Sequence, residues 1–207
     1  PLKPRHKYQH IYAPLTYTLM TWKWLLEKDF KQVINYGSSD LFKAKDQSLG
    51  MVWTKLIVGK AFHIGLFYVL PFIMGIDWKM ILAGNMIMHV IAGFILSITF
   101  QMAHVVDKAE FLTEDEAKEN SLLEHQLKTT ANFSTKSALV TWYTGGLNFQ
   151  VEHHLFPTIN HIHYPKIAEI VRKTAEEFNL PYNEYKTLLS AVKGHFNHLK
   201  NMGMSPA

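Results

Sequence analysis

Two long apolar runs constrain what this chain can fold into more than any other feature. The first is LIVGKAFHIGLFYVLPFIMGI at residues 56–76, and the second is MILAGNMIMHVIAGFILSITF at residues 80–100. Each is close to the roughly 20 residues that an α-helix needs to cross a bilayer. Because only the link at residues 77–79 separates them, the pattern predicts a transmembrane hairpin whose two outer ends lie on the same side of the membrane.

The distribution of lysines predicts which side that is. Lysines such as Lys23, Lys28 and Lys31 are spread through residues 1–53, whereas they are nearly missing from the link between the runs. The positive-inside rule therefore predicts that both outer ends of the hairpin lie in the cytoplasm. The net charge of +4 could also suit nucleic acid, but the charges are dispersed among aromatic residues, which favours a membrane interface and no nucleic-acid partner.

The alternative interpretation is a pair of buried helices in a large soluble domain. Lys60, His63 and Pro71 in the first run support it. The second run, however, contains only Asn85 and His89 as strongly polar residues, and polar groups inside membrane spans are expected to face a bundle interior. We therefore favour membrane insertion and predict that His63 and His89 are packed and hydrogen-bonded.

Composition limits the chemistry that the chain can carry. It contains no cysteine and 12 histidines. The absence of cysteine excludes disulfides, thiolate zinc sites and iron–sulfur clusters. Any metal must therefore be held by imidazole, carboxylate or amide groups, and imidazole suits iron, copper, nickel and zinc.

The segment NFQVEHHLFP at residues 148–157 contains the strongest candidate for such a site. On a helix, Gln150 lies three residues before His153 and four before His154, so all three side chains can reach one sector. Neighbouring histidines lie about 100° apart and can serve one metal ion or two. Further ligands are needed, and His104, at the cytoplasmic end of the second predicted span, is the best candidate in the chain. The alternative is a pair of surface or capping histidines.

Together these features predict an all-α membrane protein, in which a transmembrane helical hairpin precedes a cytoplasmic helical region that carries the histidine box. We assign residues 1–53 to a basic and aromatic cytoplasmic flank, residues 54–102 to the hairpin and residues 103–207 to the helical region. Gly145 and Gly146 predict a kink or a close backbone approach ahead of the box, and two amphipathic helices are predicted after it. Because the chain opens with proline and has no signal-peptide pattern, we interpret it as an internal or C-terminal piece of something longer.

Motifs along essentially the whole chain resemble one known family, and they occur in the same order. They are YQHIY at residues 8–12, FQMAHV at 100–105, QLKTTANF at 126–133, GGLNFQVEHHLFP at 145–157 and YP at 164–165. The set is similar to the membrane fatty acid desaturases. The closest likeness is to the front-end branch and its bacterial relatives, in which the third histidine box reads Gln-x-x-His-His.

The resemblance implies a di-iron centre at the cytoplasmic face of the membrane. It carries over His104, His153 and His154 as iron ligands. It also carries over Gln150, His153 and His154 as the catalytic box, in which Gln150 orients a ligand or water. Asn132 resembles a residue that borders the site. The implied reaction inserts a double bond into the acyl chain of a membrane lipid or acyl-CoA, using dioxygen and two electrons from a b-type cytochrome or a ferredoxin.

The chain departs from the family pattern in one respect, because the first two histidine boxes normally precede the segment that matches residues 1–12. His6 and His10 have the spacing of a first box, but they lie in the segment that follows the second one, so we interpret them as part of the solvated flank. Two other pairs are predicted to be surface or capping residues: His161 with His163, and His195 with His198.

With two boxes absent, the chain as given holds a minority of the required ligands and is expected to be inactive alone. Two other functions stay open. One is a lipid hydroxylase or related oxygenase on the same scaffold. The other is a membrane fragment that binds lipid or partner helices without catalysis.

Overall fold

The computed structural model describes residues 3–37, 48–113, 115 and 121–204. The chain forms two compact units, which are residues 15–96 and residues 1–14 with 97–207. We call the first the hairpin unit and the second the box unit. This division falls after residues 14 and 96, whereas the sequence led us to place boundaries after residues 53 and 102. Residues 38–47 of the assigned flank and residues 205–207 lie outside the described part.

Helices account for most of the described chain, which confirms the predicted fold class. The α-helices are α1 Gln9–Tyr17, α2 Met20–Lys23, α3 Asp29–Gly37, α4 Leu49–Ile64, α5 Leu70–Ile73, α6 Trp78–His104, α7 Leu122–Thr129, α8 Ala138–Thr144, α9 Gln150–Leu155, α10 Tyr164–Glu177 and α11 Leu188–Met204. Short 3-10 helices cover Pro4–Tyr8 and His161–His163, and π-helical turns cover Trp24–Lys28 and Gly65–Val69. Two strands, β1 Ala131–Phe133 and β2 Asn183–Tyr185, pair in parallel.

Two helical stretches are long and apolar enough to cross a membrane, as the apolar runs predicted. The first is Leu49–Ile73, which consists of α4, a π-helical turn and α5, and the second is α6. Their large apolar side chains are mostly exposed, for example Phe62, Phe72 and Met86. Outward-facing apolar side chains along a whole helix suit a lipid environment better than the interior of a soluble domain.

A hydrogen bond from Asn85 in the second span compensates for the N–H group that Pro71 lacks in the first span. Pro71 has no N–H group to donate to the carbonyl of Phe67, four residues earlier in the helix. The helix widens there into the π-helical turn Gly65–Val69. The side chain of Asn85 on α6 donates from its Nδ2 atom to the free Phe67 carbonyl at 3.1 Å. Asn85 thus satisfies a backbone group that lipid could not.

The segment that precedes the hairpin is helical and packs against it within the same unit. Asp29 on α3 forms an ion pair with Lys60 on α4 at 2.6 Å. Thr21 on α2 shares two hydrogen bonds of 3.1 Å with His89, one to its backbone carbonyl and one to its Nδ1 atom, and Trp22 stacks on the same ring. His89 is therefore buried and hydrogen-bonded, as predicted. The assigned flank is not a loose polar segment over residues 15–37.

The core of the box unit forms around the C-terminal end of α6. Met102 and Ala103 pack there against Phe133 of β1, Tyr185 of β2 and Ala191 of α11. The strands pair with Ala131 opposite Asn183 and Phe133 opposite Tyr185. This strand pair is a feature that the sequence analysis did not predict within the helical region. Strands of three residues are too short to show an alternating apolar pattern in the sequence.

The histidine box and the segment before it form two helices, α9 and α8, instead of one kinked helix. Gly145 and Gly146 both adopt positive φ angles, of 60° and 82°, which residues with a side chain rarely adopt. A Cβ atom on Gly146 would lie 2.5 Å from the Cβ of His161. The glycine pair therefore provides both a helix end and the predicted close approach, so the chain can turn sharply into the box.

Candidate metal centre

The histidine box lies on α9, a helix of six residues whose two sides have different surroundings. Gln150, Val151 and Glu152 are buried, while His153 and His154 in the last turn are partly exposed. The N-terminal residue Phe149 is almost fully buried and provides no side-chain cap. A helix this short is not stable by itself, so tertiary contacts must hold the box in place.

Three nitrogen atoms from separate parts of the box unit converge beside α9. The Nε2 atom of His154 lies 3.3 Å from Nε2 of His104, at the end of α6. The Nε2 atom of Gln150 lies 3.1 Å from His154 Nε2 and 3.4 Å from His104 Nε2. The His104 and His154 rings are nearly perpendicular, at 89°, with centroids 5.0 Å apart. The structure thus brings together three of the residues that the sequence singled out.

The spacing of these atoms fits a single metal ion. Donors bound at about 2.1 Å to one ion lie about 3.0 to 3.4 Å from one another in octahedral or tetrahedral geometry. The observed distances of 3.1 to 3.4 Å match that range. Rotation of the Gln150 amide about its last bond would direct its oxygen, a possible metal ligand, toward the same point. The ring of His104 also hydrogen-bonds the backbone of Thr129, which fixes its orientation.

His154 is held in the protonation state that binds metals. Burial, together with charge repulsion from the neighbouring His104 and His153 rings, lowers the pKa of His154 to about 4. Metal binding requires a neutral imidazole. At neutral pH the His154 ring therefore needs to lose no proton before it binds an ion.

His153 is close to this cluster but directed elsewhere. Its Nδ1 atom lies 3.3 Å from the hydroxyl of Tyr164 on α10. Its ring centroid lies 5.7 Å from that of His154, at an angle of 78°, as expected for consecutive residues on a helix. Among the described residues, no group of three or more His, Cys, Asp or Glu side chains could hold a metal ion. The converging set is two imidazoles and one amide, which is fewer donors than a metal ion needs.

Behind the box is a buried carboxylate to which the sequence had assigned no role. Glu152 is fully buried. It accepts hydrogen bonds from Asn132 Nδ2 at 2.7 Å and from the Tyr182 hydroxyl at 2.8 Å. Burial raises the pKa of Glu152, while these two hydrogen bonds oppose the shift. Its position could have been inferred, because Glu152 is two residues from both Gln150 and His154 and so lies on the opposite side of the helix.

Asn132 contacts the box from this same inner side and not at the converging nitrogens. Its Oδ1 atom accepts the backbone N–H of Val151 at 2.8 Å, and its Nδ2 atom donates to Glu152 and to Tyr182. Asn132 therefore binds both the backbone and a side chain of α9. It supports the box from behind.

Two histidines outside the box differ from their predictions. His63 was predicted to be hydrogen-bonded, but its buried Nε2 atom has no hydrogen-bond partner among the described residues. His195 on α11 is fully buried and not a surface or capping residue. Its Nδ1 atom lies 2.6 Å from the carbonyl of Val105, the residue after His104. Apolar residues lie three and four positions away from His195 in α11, and this helical spacing was the available signal for its burial. By contrast, His161 and His163 are exposed, as predicted.

Comparisons with known proteins show the family of this chain. The family model described as Fatty acid desaturase matches residues 1–186. An sn-1 linoleoyl-lipid 6-desaturase of Arthrospira platensis is 33% identical over 208 residues, covering 97% of this chain and 54% of the relative. An acyl-lipid (8-3)-desaturase of Physcomitrium patens is 36% identical, covering 97% of this chain and 42% of the relative. A Delta(5) fatty acid desaturase A of Dictyostelium discoideum is 32% identical, covering 97% and 44%.

The chain spans about half the length of these relatives. No solved structure matches it significantly. The family match nevertheless extends from the first residue through β2 and includes every residue of the converging cluster. The chain therefore belongs to the fatty acid desaturase family, in the front-end branch that its motifs resemble.

Proposed function

We propose that this chain is the C-terminal part of an integral-membrane, iron-dependent fatty acid desaturase. The observation that carries the proposal is the convergence of His104, Gln150 and His154 within 3.1 to 3.4 Å. The family is known to use iron, and imidazole nitrogen suits iron. The remaining ligands of a di-iron centre would come from two histidine boxes that precede this chain in the longer protein, with His153 as a further ligand from this one.

The proposed reaction converts two neighbouring methylene groups of an acyl chain into a cis or trans double bond. Dioxygen, two electrons and two protons are consumed, and two molecules of water are formed. No amino-acid side chain can oxidise an unactivated methylene, so bound iron supplies the activation of dioxygen. The protein's own part is to hold the acyl chain in register beside the converging nitrogens.

Substrate and electron donor are assigned by analogy with the relatives. The Arthrospira relative is named for a linoleoyl lipid and the Physcomitrium relative for an acyl lipid, so an acyl chain on a membrane lipid is the proposed substrate, with acyl-CoA as the alternative. The two electrons are proposed to come from a b-type cytochrome or a ferredoxin. The lysine distribution predicts that the C-terminal end of the second span lies in the cytoplasm. His104 lies at that end, which supports a site on the cytoplasmic face.

Metal binding by the purified chain tests the proposed site directly. Titration with Co²⁺, a spectroscopic substitute for Fe²⁺, should give one visible-absorbing complex per chain. His104→Ala and His154→Ala should each weaken that binding by about tenfold or more, since each removes one of three donors. His163→Ala is the matched control, because His163 is exposed and outside the cluster. Equal Co²⁺ affinity in all variants would refute the site.

Product analysis of the longer protein in a host membrane tests the reaction. Mass spectrometry of its lipids should show acyl chains lighter by two hydrogens. A gain of one oxygen atom would indicate the hydroxylase alternative instead. Unchanged lipids, from a protein that binds iron and is correctly inserted, would favour the non-catalytic alternative.

A further inference from the structure

Helix α8, immediately before the histidine box, exposes large apolar side chains. Leu139, Trp142 and Tyr143 are 73%, 78% and 58% exposed. Their spacing of three and four residues places them on one face of the helix. Helix α8 contains no charged residue. A patch of this kind on a protein surface indicates contact with another apolar phase.

The two threonine hydroxyls of α8 are satisfied within the protein and do not require water. Thr141 donates its hydroxyl to the carbonyl of Ser137 at 3.1 Å, and Thr144 donates to the carbonyl of Val140 at 2.8 Å. Asn148 in turn donates to the Thr141 hydroxyl at 3.0 Å. These threonines can therefore lie against lipid with their hydroxyls paired, while the indole N–H of Trp142 and the hydroxyl of Tyr143 can bond to polar headgroups.

The inner face of α8 packs at the level where the second span ends. Val140 packs against the cluster that contains Met102 and Ala103, in the last turn of α6, and Ile98 packs against the same cluster. All of these residues belong to the box unit. The outward face of α8 therefore lies beside the end of a membrane-spanning helix. Tryptophan and tyrosine are the residues enriched at that depth of a bilayer.

We infer that α8 is an interfacial membrane anchor, whose Leu139, Trp142 and Tyr143 side chains insert among the lipid headgroups and the first methylenes of the acyl chains. The anchor depends on membrane insertion of α6 but not on bound iron or on catalysis. Because Gly146 packs on His161 and Asn148 bonds to Thr141, α8 is joined firmly to the turn that leads into α9. Contact of α8 with lipid would therefore fix the height of the box above the bilayer, at the level where an acyl chain leaves it.

Site-directed spin labelling tests this inference, because the chain has no cysteine and one introduced cysteine is the only labelling site. Leu139→Cys, Trp142→Cys and Tyr143→Cys would be labelled singly in nanodiscs of phosphatidylcholine. Accessibility of the label to oxygen, which concentrates in lipid, is then compared with accessibility to a water-soluble nickel chelate. Met86→Cys on α6 is the lipid reference, and Thr174→Cys, exposed on α10, is the aqueous reference.

Labels at the three α8 positions should favour oxygen over the nickel chelate, as at Met86, whereas the Thr174 label should favour the chelate. A preference for the chelate at the α8 positions would overturn the inference. So would low accessibility to both reagents, which would mean that a second copy or another protein segment covers α8. An aqueous signal at Met86 as well would overturn membrane insertion itself. The three positions are independent, so a variant that misfolds leaves two others to decide.

Discussion

The buried carboxylate behind the histidine box makes a sharp prediction about stability. Glu152→Ala removes the acceptor for two buried donors, Asn132 Nδ2 and the Tyr182 hydroxyl. Asn132 keeps a partner, because the same Nδ2 atom also donates to the Tyr182 oxygen at 2.8 Å. The Tyr182 hydroxyl is left without an acceptor, which costs about 1 to 3 kcal/mol, and one of the two Asn132 amide hydrogens also loses its acceptor. The lost methylene burial adds about 0.8 kcal/mol, so we expect a total loss of about 2 to 4 kcal/mol.

The matched variant is Glu152→Gln, which has nearly the same shape and keeps one carbonyl oxygen as an acceptor. Its carbonyl oxygen can accept the Tyr182 hydroxyl, so that hydroxyl keeps an acceptor and we expect the variant to cost only about 1 kcal/mol. The free energy of unfolding would be measured by titrating a denaturing detergent into mild micelles while following circular dichroism. Glu177→Ala, at an exposed position of α10, should change the result by no more than about 0.5 kcal/mol.

The same two variants distinguish a role of Glu152 in positioning the box from a role in protein stability alone. If Glu152 orients α9, then Glu152→Ala should weaken Co²⁺ binding by about tenfold while Glu152→Gln retains it. A Glu152→Ala protein as stable as the parent would refute the hydrogen-bond reasoning. Unchanged Co²⁺ affinity in a destabilised Glu152→Ala protein would refute its role in positioning the box.

Three further predictions follow from other contacts. Asn85→Leu should lower the free energy of unfolding in micelles by about 1 kcal/mol, because it deprives the carbonyl left free by the proline of its donor. Gly146→Ala should destabilise by about 1 to 3 kcal/mol or more, since its Cβ would meet His161 and its φ is positive, whereas Gly145→Ala has open space and should cost about 1 kcal/mol. Burial lowers the pKa of His195, so on acidification the unfolded chain takes up a proton before the folded chain does. The contribution of His195 to stability is therefore present above pH about 6.5 and is lost as the pH falls below that value. His195→Gln should reduce this pH dependence of the free energy of unfolding, measured from pH 7.5 to 5.5.

Each of these three has an outcome that would contradict it. An Asn85→Leu protein at least as stable as the parent would mean that the π-helical turn satisfies its own carbonyl. Equal costs for alanine at the two glycines would mean that the contact with His161 yields easily. A steeper pH dependence after the His195 substitution would mean that other groups dominate acid destabilisation.

The spans and the amphipathic helices were predictable because each repeats one pattern over many residues. The apolar runs and the helical spacing after the box both exceed ten residues, and α6 and α10 appear where they were predicted. The converging set was predictable in part. We could predict that His104, Gln150 and His154 would meet, because the end of a span and a helical box were expected on one side of the membrane.

Support of the box from behind could not be predicted, because it rests on contacts between residues far apart in the chain. Glu152 bonds to Asn132 and Tyr182, which are 20 and 30 residues away, and His195 bonds to Val105 across 90 residues. No local pattern connects such residues. Pairing of strands only three residues long is likewise decided by tertiary packing, not by propensity. The one hint in the sequence was Glu152, a charged residue next to His153 and on the opposite side of the helix from Gln150 and His154.

The parallel pairing of β1 with β2 also sets an order of events during synthesis. Ala131 pairs with Asn183, and a chain grows at about 5 to 20 residues per second, so the second strand is made about 3 to 10 s after the first. Until then β1, with Asn132 at its centre, has no neighbouring strand. The box consequently reaches its final form only after β2 has been made, later in synthesis than both apolar helices. A nascent chain that stalls before β2 would present its histidines on an unsupported helix, which makes such a stalled chain a natural target for quality control.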